Sequence, residues 1–256
     1  MSSDLEQERI AALLTTSRLG RAMKIELETG STNDDARQAV RDGAADGYVV
    51  VAESQRAGRG SRGRTWVSPA GTDIYTSIVA TLRVPPERLP PLTLVVGLAV
   101  VEALDPLLGG RAQVKWPNDV WLEGRKIVGI LVEGASTGAQ LEPLVIGIGI
   151  NVNRREFPEG LDVPPSSLAL ELGHDVDRSL VLASVLNRLE VWLARFQDEG
   201  PGAAIAAINE RLALRGQRAR VDQLEGTVRR VAPSGALVLD TTAGERELVA
   251  GTLRAC

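Results

Sequence analysis

Gly58-Arg59-Gly60-Ser61-Arg62-Gly63-Arg64-Thr65-Trp66-Val67-Ser68-Pro69 is the stretch on which the fold assignment turns. Its first six residues match the G-x-G-x-x-G spacing of a dinucleotide fold. Such a fold needs a helix to open at this loop, so that the helix N-terminus faces a pyrophosphate. Arg64 to Pro69 does not read as a helix, which argues against a doubly wound nucleotide fold. No Gly-Lys-Ser/Thr follows at the spacing of a P-loop either. What remains is a run of arginines alternating with glycines. Glycine lets the backbone approach a ligand and leaves N–H groups free to point at anions. Arginine supplies a positive fork suited to carboxylate and phosphate. The alternative is a mobile, solvated loop. The glycines make ordering entropically costly, so the loop is expected to order when a ligand arrives.

Upstream, Leu5 to Leu14 reads as a short helix and Lys24 to Glu28 as a strand. Ser31 and Asp34 have capping-box spacing ahead of a helix from about Asp34 to Asp42. Tyr48 to Ala52 is a continuous apolar run, as for a strand buried on both faces. Downstream, Ile74 to Leu82 predicts a strand and Leu92 to Leu107 a helix. Strands are expected near Ala112 to Lys115, Lys126 to Glu133 and Leu144 to Val152. Helical periodicity returns over Ser179 to Gln197, with a partner helix at Ala203 to Leu212. After Leu214 the texture changes. Short β-like runs (Ala219 to Val221, Gly226 to Val231, Ala236 to Asp240, Arg246 to Val249) alternate with turn residues. The pattern divides the chain into an α/β body, residues 1–214, and a small all-β unit, residues 215–256.

Composition narrows the chemistry. Among 256 residues, 44% are hydrophobic and 24% charged, as in an ordinary globular protein. The net charge of -4 gives no global field to attract nucleic acid or an anionic membrane. The N-terminus lacks the basic and apolar regions of a signal peptide. The most apolar run, Leu92 to Leu104, contains Glu102 and falls short of the ~20 residues that span a bilayer. Cys256 is the one cysteine and His174 the one histidine, so a disulfide, a thiolate zinc site and a Ser-His-Asp triad have little to draw on. These facts predict a bacterial-type cytoplasmic protein that works through arginine, lysine, carboxylates and backbone amides.

Two further segments carry polar residues between strand-like runs. In Lys115-Trp116-Pro117-Asn118-Asp119, Pro117 disfavours helix at Trp116. Asn118 and Asp119 offer oxygens that suit magnesium, or equally a turn in which they satisfy local backbone. Lys126 then opens the apolar run Ile127 to Glu133, where a lysine ordinarily snorkels to solvent. Ile146-Gly147-Ile148-Gly149-Ile150-Asn151-Val152-Asn153 puts glycines on one strand face, which leaves a groove for a flat ligand or permits close helix packing.

Gly30-Ser31-Thr32-Asn33, Gln55 to Trp66, Lys115 to Asp119 with the Lys126 strand, and Gly147 to Asn153 resemble, in this order, the motifs of biotin–protein ligases. The resemblance covers nearly the whole chain. It is to the short form, because about 30 residues precede Ser31, too few for the DNA-binding winged helix of some members. It implies an α+β fold, a mixed β-sheet catalytic domain with helices packed on it, plus a small C-terminal SH3-like β-barrel.

The implied activity is ATP-dependent and AMP-forming. Biotin is activated to biotinyl-5'-AMP and passed to a lysine of a biotin carboxyl carrier protein, with ATP and biotin as substrates and Mg2+ as cofactor. No nucleic acid and no membrane takes part, and an edge strand could pair two copies into a homodimer. The resemblance makes Lys126, Arg59 and Asp119 the catalytic residues, with Asp119 holding magnesium or positioning the amine. It assigns biotin to Ser31, Thr32, Asn33, Gln55 and Gly58, then Arg59, Gly60 and Ser61, with Lys126 and Gly129 beneath. ATP falls to Arg62, Arg64, Trp66, Asn118 and Asn151. Many members carry arginine where this chain has Ser61, which removes one cation from the phosphate side and implies a looser hold on the adenylate. The rival readings are a lipoate–protein ligase, a non-catalytic biotin sensor or DNA-binding regulator, and an inactive homologue.

Overall fold

The computed structural model describes residues 4–134 and 143–256. In chain order the elements are α1 (Gln7–Leu13), β1 (Met23–Glu26), α2 (Thr32–Arg41), β2 (Val49–Ala52), β3 (Ile74–Ala80), α3 (Leu92–Leu108), β4 (Ala112–Lys115), β5 (Asp119–Leu122), β6 (Arg125–Glu133) and β7 (Leu144–Ile150). They continue with α4 (Leu168–Leu172), α5 (Arg178–Glu199), α6 (Gly202–Glu210), β8 (Arg218–Val221), β9 (Leu224–Val231), β10 (Leu237–Thr241), β11 (Gly244–Leu248) and β12 (Leu253–Ala255). Seven strands form one sheet in the order β1-β2-β3-β7-β6-β5-β4. Only β1 and β2 run parallel; every other neighbouring pair is antiparallel. The sheet is therefore mixed, as expected, and not doubly wound.

The period of two along each strand sorts side chains onto two unequal faces. Val49, Val51, Ile74, Ile78, Ile146 and Ile148 point into the main core, shared with α1, α3, α5 and α6. Val50, Val79 and Val145 point the other way and meet only Ala36 of α2, with Val40 and Tyr48 at the margin. The second face is thinly covered because one short helix serves it. Its uncovered part, next to α2, is where the cavity lies.

The tail forms a second, five-stranded antiparallel sheet in the order β11-β10-β9-β8-β12. Val221, Val228, Leu237 and Leu253 belong to the same hydrophobic cluster as the main body. Trp116 donates its indole N–H to the Gly235 carbonyl at 3.0 Å, tying the two sheets together.

Two strands escaped the sequence. Asp119–Leu122 is a strand and not merely the end of a turn, pairing β4 through Lys115↔Asp119 and β6 through Asp119↔Gly129. Leu253–Ala255 closes the small sheet against β8. The capping box also needs correction. Helix α2 begins at Thr32, and its N-cap residue Ser31 makes no side-chain cap bond. Gln55 caps instead: its Oε1 accepts the Thr32 N–H at 2.9 Å.

Candidate active site

The cavity measures about 480 Å3 and runs along β7. Its floor is the glycine row expected to leave a groove for a flat ligand, but two side chains already rest there. A Cβ at Gly147 would lie 2.2 Å from Asn33 Oδ1, and one at Gly149 or Gly129 would lie 2.6 Å from the Trp66 indole. The glycines are needed so that Asn33 and Trp66 can touch the sheet.

One end is polar, its hydroxyls and amides backed by the Glu133 carboxylate. Ser77 donates its hydroxyl to Asn33 Oδ1 at 2.6 Å and lies 2.8 Å from Thr32 Oγ1. Asn33 Nδ2 donates to Glu133 at 2.6 Å. Gln55 uses both ends of its amide within the protein, accepting from Thr32 and donating to Ser68 Oγ at 2.9 Å. Ser31, Thr32 and Asn33 line this end because they open α2.

The middle is cationic. The chain has three lysines in all, and two of them flank one carboxylate. Lys126 Nζ lies 2.7 Å from Asp119 Oδ1 and 5.2 Å from the Trp66 ring centroid. Lys115 Nζ lies 3.7 Å from Asp119 Oδ2, stacked over Trp121. Burial pushes the Lys115 ammonium down to about 8, helped by the Lys126 and Arg64 cations and opposed by Asp119. The motif that begins at Lys115 is legible in the sequence, but no role at the site is read for Lys115 itself.

Arg59 forks onto Asp34 at 2.6 and 2.9 Å and lies 3.4 Å from Glu133. Arg37 pairs with the same two carboxylates. The Arg59 hydrogen bonds hold the Asp34 carboxyl below its ordinary range. Burial would raise Glu133, but Asn33 and Arg37 outweigh it and the net shift is down. Arg62 bends the loop with φ of 60° and donates to Thr252, just ahead of β12, at 2.9 Å. Arg64 donates to Ser61 Oγ at 3.0 Å, and Asn118 Nδ2 to the same oxygen at 3.2 Å. Asn118 and Asn151 spend their amides chiefly on backbone, at Ile130 O and Ser166 O, both 2.9 Å away.

The loop expected to order with ligand carries backbone hydrogen bonds of its own. Ala57 N donates to Gly30 O at 2.9 Å, Gly60 N to Arg64 O at 2.7 Å and Trp66 N to Gly58 O at 2.9 Å. At Gly58 a Cβ would sit 2.4 Å from the Trp66 carbonyl, so this glycine is required for the closure. Amide hydrogen exchange at Ala57, Gly60 and Trp66 is therefore expected to be slow before any ligand is added. Exchange at unfolded-chain rates there, slowed only by biotin, would restore the original expectation.

A magnesium site on Asp119 does not fit these residues. Both carboxylate oxygens face ammonium groups, whose charge opposes a divalent ion. Among the described residues no group of three or more acidic, histidine or cysteine side chains could hold a metal. Neither His174 nor Cys256 lines the cavity; both are exposed. No described helix is long and apolar enough to cross a membrane.

Fold and cleft together define the class: a mixed-sheet protein whose cavity, lying along one strand, is lined by lysine and arginine and by no histidine or cysteine. The model of the Biotin/lipoate A/B protein ligase family matches residues 29–151, the span from the Thr32 helix through both lysines to Asn151. The Biotin–acetyl-CoA-carboxylase ligase of Mycobacterium tuberculosis is 35% identical over 86% of this chain and 84% of its own length. The Bifunctional ligase/repressor BirA of Bacillus subtilis is 32% identical over 95% of this chain and 77% of its own. A solved Biotin protein ligase from Aquifex aeolicus, in complex with biotin and ATP, superposes with a TM-score of 0.80 at 30% identity. That match covers 92% of this chain and 100% of the other. The chain belongs to the biotin/lipoate protein ligase family, on its biotin–protein ligase branch.

Proposed function

We infer that this protein activates biotin with ATP and transfers the biotinyl group to a lysine of a biotin carboxyl carrier protein. The observation that carries this reading is the order of chemistry along β7: a polar end at Asn33 over Gly147, then Trp66, Asp119 and the Lys126 ammonium over Gly149 and Gly129, then the Asn151 and Arg154 end of the cavity. A neutral bicyclic urea suits the first, a carboxylate meeting a phosphate the second, and a nucleoside the third.

A carboxylate does not acylate an amine at neutral pH without activation. In the first step a biotin carboxylate oxygen attacks the α-phosphorus of ATP, an anhydride forms, and pyrophosphate leaves with its electron pair. Two anions must approach, so Lys126 and Arg59 offset their repulsion, and the polar end fixes the acid in reach. Arg59 must exchange Asp34 for the substrate, and Arg37 remains to hold the two carboxylates it leaves. Magnesium in this proposal arrives with the phosphates of ATP and is not held by Asp119. In the second step the neutral amine of the carrier lysine attacks the acyl carbon and AMP leaves. Most free lysine is protonated near neutrality, its pKa being about 10.4. Asp119, already paired with two ammoniums, is the group to orient it.

The domain division at 214/215 falls in a turn with Leu214 and Gly216 at positive φ. The small sheet stands where the family carries its SH3-like barrel. The open edge at β1 is where two copies would pair, and the cytoplasm is where ATP is supplied.

The test is ATP-dependent incorporation of labelled biotin into a purified biotin carboxyl carrier domain, with lipoate as control. Biotin alone should be incorporated. Lipoate alone would move the chain to lipoate ligation, and no pyrophosphate release with either acid would favour a sensor or an inactive homologue. Ser61 supplies a second expected result. Its hydroxyl accepts from Asn118 and from the Arg64 guanidinium, and the side chain adds no charge of its own. A Ser61→Arg variant should release free adenylate several-fold more slowly, measured by filtration after a single turnover; an unchanged rate would count against the assignment.

A further inference from the structure

A buried charged cluster at the far end of β7 has no part in the chemistry above. Asp73, wholly buried, accepts the Val152 N–H at 2.9 Å and the Arg154 Nε–H at 2.7 Å. Arg154, 6% exposed, donates through Nη2 to the Val67 carbonyl at 2.7 Å and lies 3.1 Å from the Tyr75 hydroxyl. Tyr75 donates to the Pro69 carbonyl at 2.9 Å. Arg154 Nη1 has no hydrogen-bond partner among the described residues, and its guanidinium carbon stands 5.2 Å from the Phe157 ring centroid. Arg154, Tyr75 and Phe157 all line the cavity.

Stability alone does not account for such a pair. Replacing a buried ion pair with apolar residues of similar volume is often neutral or stabilising. What this cluster holds is the chain just after Trp66, Arg154 at the Val67 carbonyl and Tyr75 at the Pro69 carbonyl. Its place in the cavity follows from the strand. Asn33 covers Gly147, Trp66 covers Gly149, and the cluster begins beyond Asn151. At ~3.3 Å per residue, Gly147 to Asn151 spans roughly 13 Å. An acid seated at the polar end, with its carboxylate at Lys126, leaves this far end to the nucleotide.

We propose that Asp73 and Arg154 are positioning residues for the nucleotide half of the site, pinning Val67 so that Trp66 stays on Gly149 and the open edge of the guanidinium faces the ligand beside Phe157. The inference rests on the functional reading given above. Arg154→Met alone leaves a buried carboxylate without its cation and is expected to destabilise the protein. Asp73→Asn combined with Arg154→Met removes both charges and should melt close to the wild type. Arg154→Lys keeps the charge but loses the fork that reaches Val67.

Titration calorimetry of ATP and of biotin on the full chain separates the possibilities. In the double variant and in Arg154→Lys, ATP affinity should fall about tenfold while biotin affinity stays within twofold. Pyrophosphate exchange should show the same split, in KM for ATP more than in kcat. Native-like melting with unchanged ATP affinity would overturn the proposal, as would equal losses for both ligands. A wild-type chain that binds no ATP and transfers no biotin would overturn the functional reading and this inference with it. Wild-type transfer with unaffected variants would overturn this inference only.

Discussion

Replacing Lys126 with alanine is expected to lower adenylate formation about 100- to 1000-fold, the range seen when a preorganised charge-stabilising donor is removed from an active site. The ammonium stands at the junction of the polar and nucleotide ends, 2.7 Å from Asp119 and against the Trp66 face. No other lysine can take over, because Lys115 is on the far oxygen of Asp119 and Lys24 lies on β1, outside the cavity. Stability should change far less than activity. Asp119 keeps Lys115 at 3.7 Å, so the substitution does not strand a buried charge. The check is pyrophosphate release and adenylate formation under single turnover, alongside a melting curve. An alanine variant that melts like the wild type and forms adenylate at the wild-type rate would remove Lys126 from the mechanism. One that loses activity only by unfolding would leave the ammonium's role without support.

The same residues show how far the sequence could be read. Tyr48 to Ala52 disclosed a strand because a continuous apolar run reports burial on both faces, a local property, while Ile127 to Glu133 disclosed one although only Ile127, Val128 and Ile130 of it are buried. β5 stayed hidden because it has four residues and follows directly on a motif that reads as a turn. The capping box failed for a different reason. Ser31 has the right spacing, but the Asp34 N–H it would have served bonds the Ser31 backbone carbonyl, and the side chain that caps the helix is Gln55, 23 positions away on the loop. The polar partners of the site are more distant still. Arg59 meets Asp34 across 25 positions and Glu133 across 74, while Arg154 meets Asp73 across 81. Sheet register sets these distances, and no periodicity in the chain encodes them. Of the site residues the motif resemblance named, all but Gly58 line the cavity, and Lys115, Tyr75, Arg154 and Phe157 line it without a role assigned by that resemblance. The resemblance could not say that Gln55, Asn118 and Asn151 spend their amides on the protein itself, or that Trp66 rests on two glycines.

Lys115 carries the other large expectation, and it concerns stability and activity in opposite directions. Its ammonium is held at 3% side-chain exposure and pushed down to about 8, against about 10.5 in the unfolded chain. Below pH 8 both states carry the proton, and burying the charge opposes folding. Between about 8 and 10.5 the folded protein has released the proton while the unfolded chain still holds it. The unfolded state then binds more protons, so stability rises with pH across that window and levels off above it. Lys115→Met removes the buried charge, retains packing over Trp121 and leaves Asp119 paired with Lys126. It should therefore stabilise the protein at pH 7 by about 1–3 kcal/mol, one pKa unit corresponding to ~1.4 kcal/mol. The gain should shrink towards zero near pH 10.5. Activity should move the other way, falling about 10- to 100-fold on the scale of one lost electrostatic contact. The whole charge of Asp119 would then bear on Lys126 and hold its ammonium back from the substrate. Urea unfolding of both proteins at pH 7 and pH 10, with single-turnover rates at pH 7, tests both halves. A stability difference that ignores pH would mean Lys115 is not titrating as its burial requires. A methionine variant that is more stable and fully active would make the second lysine a structural accident.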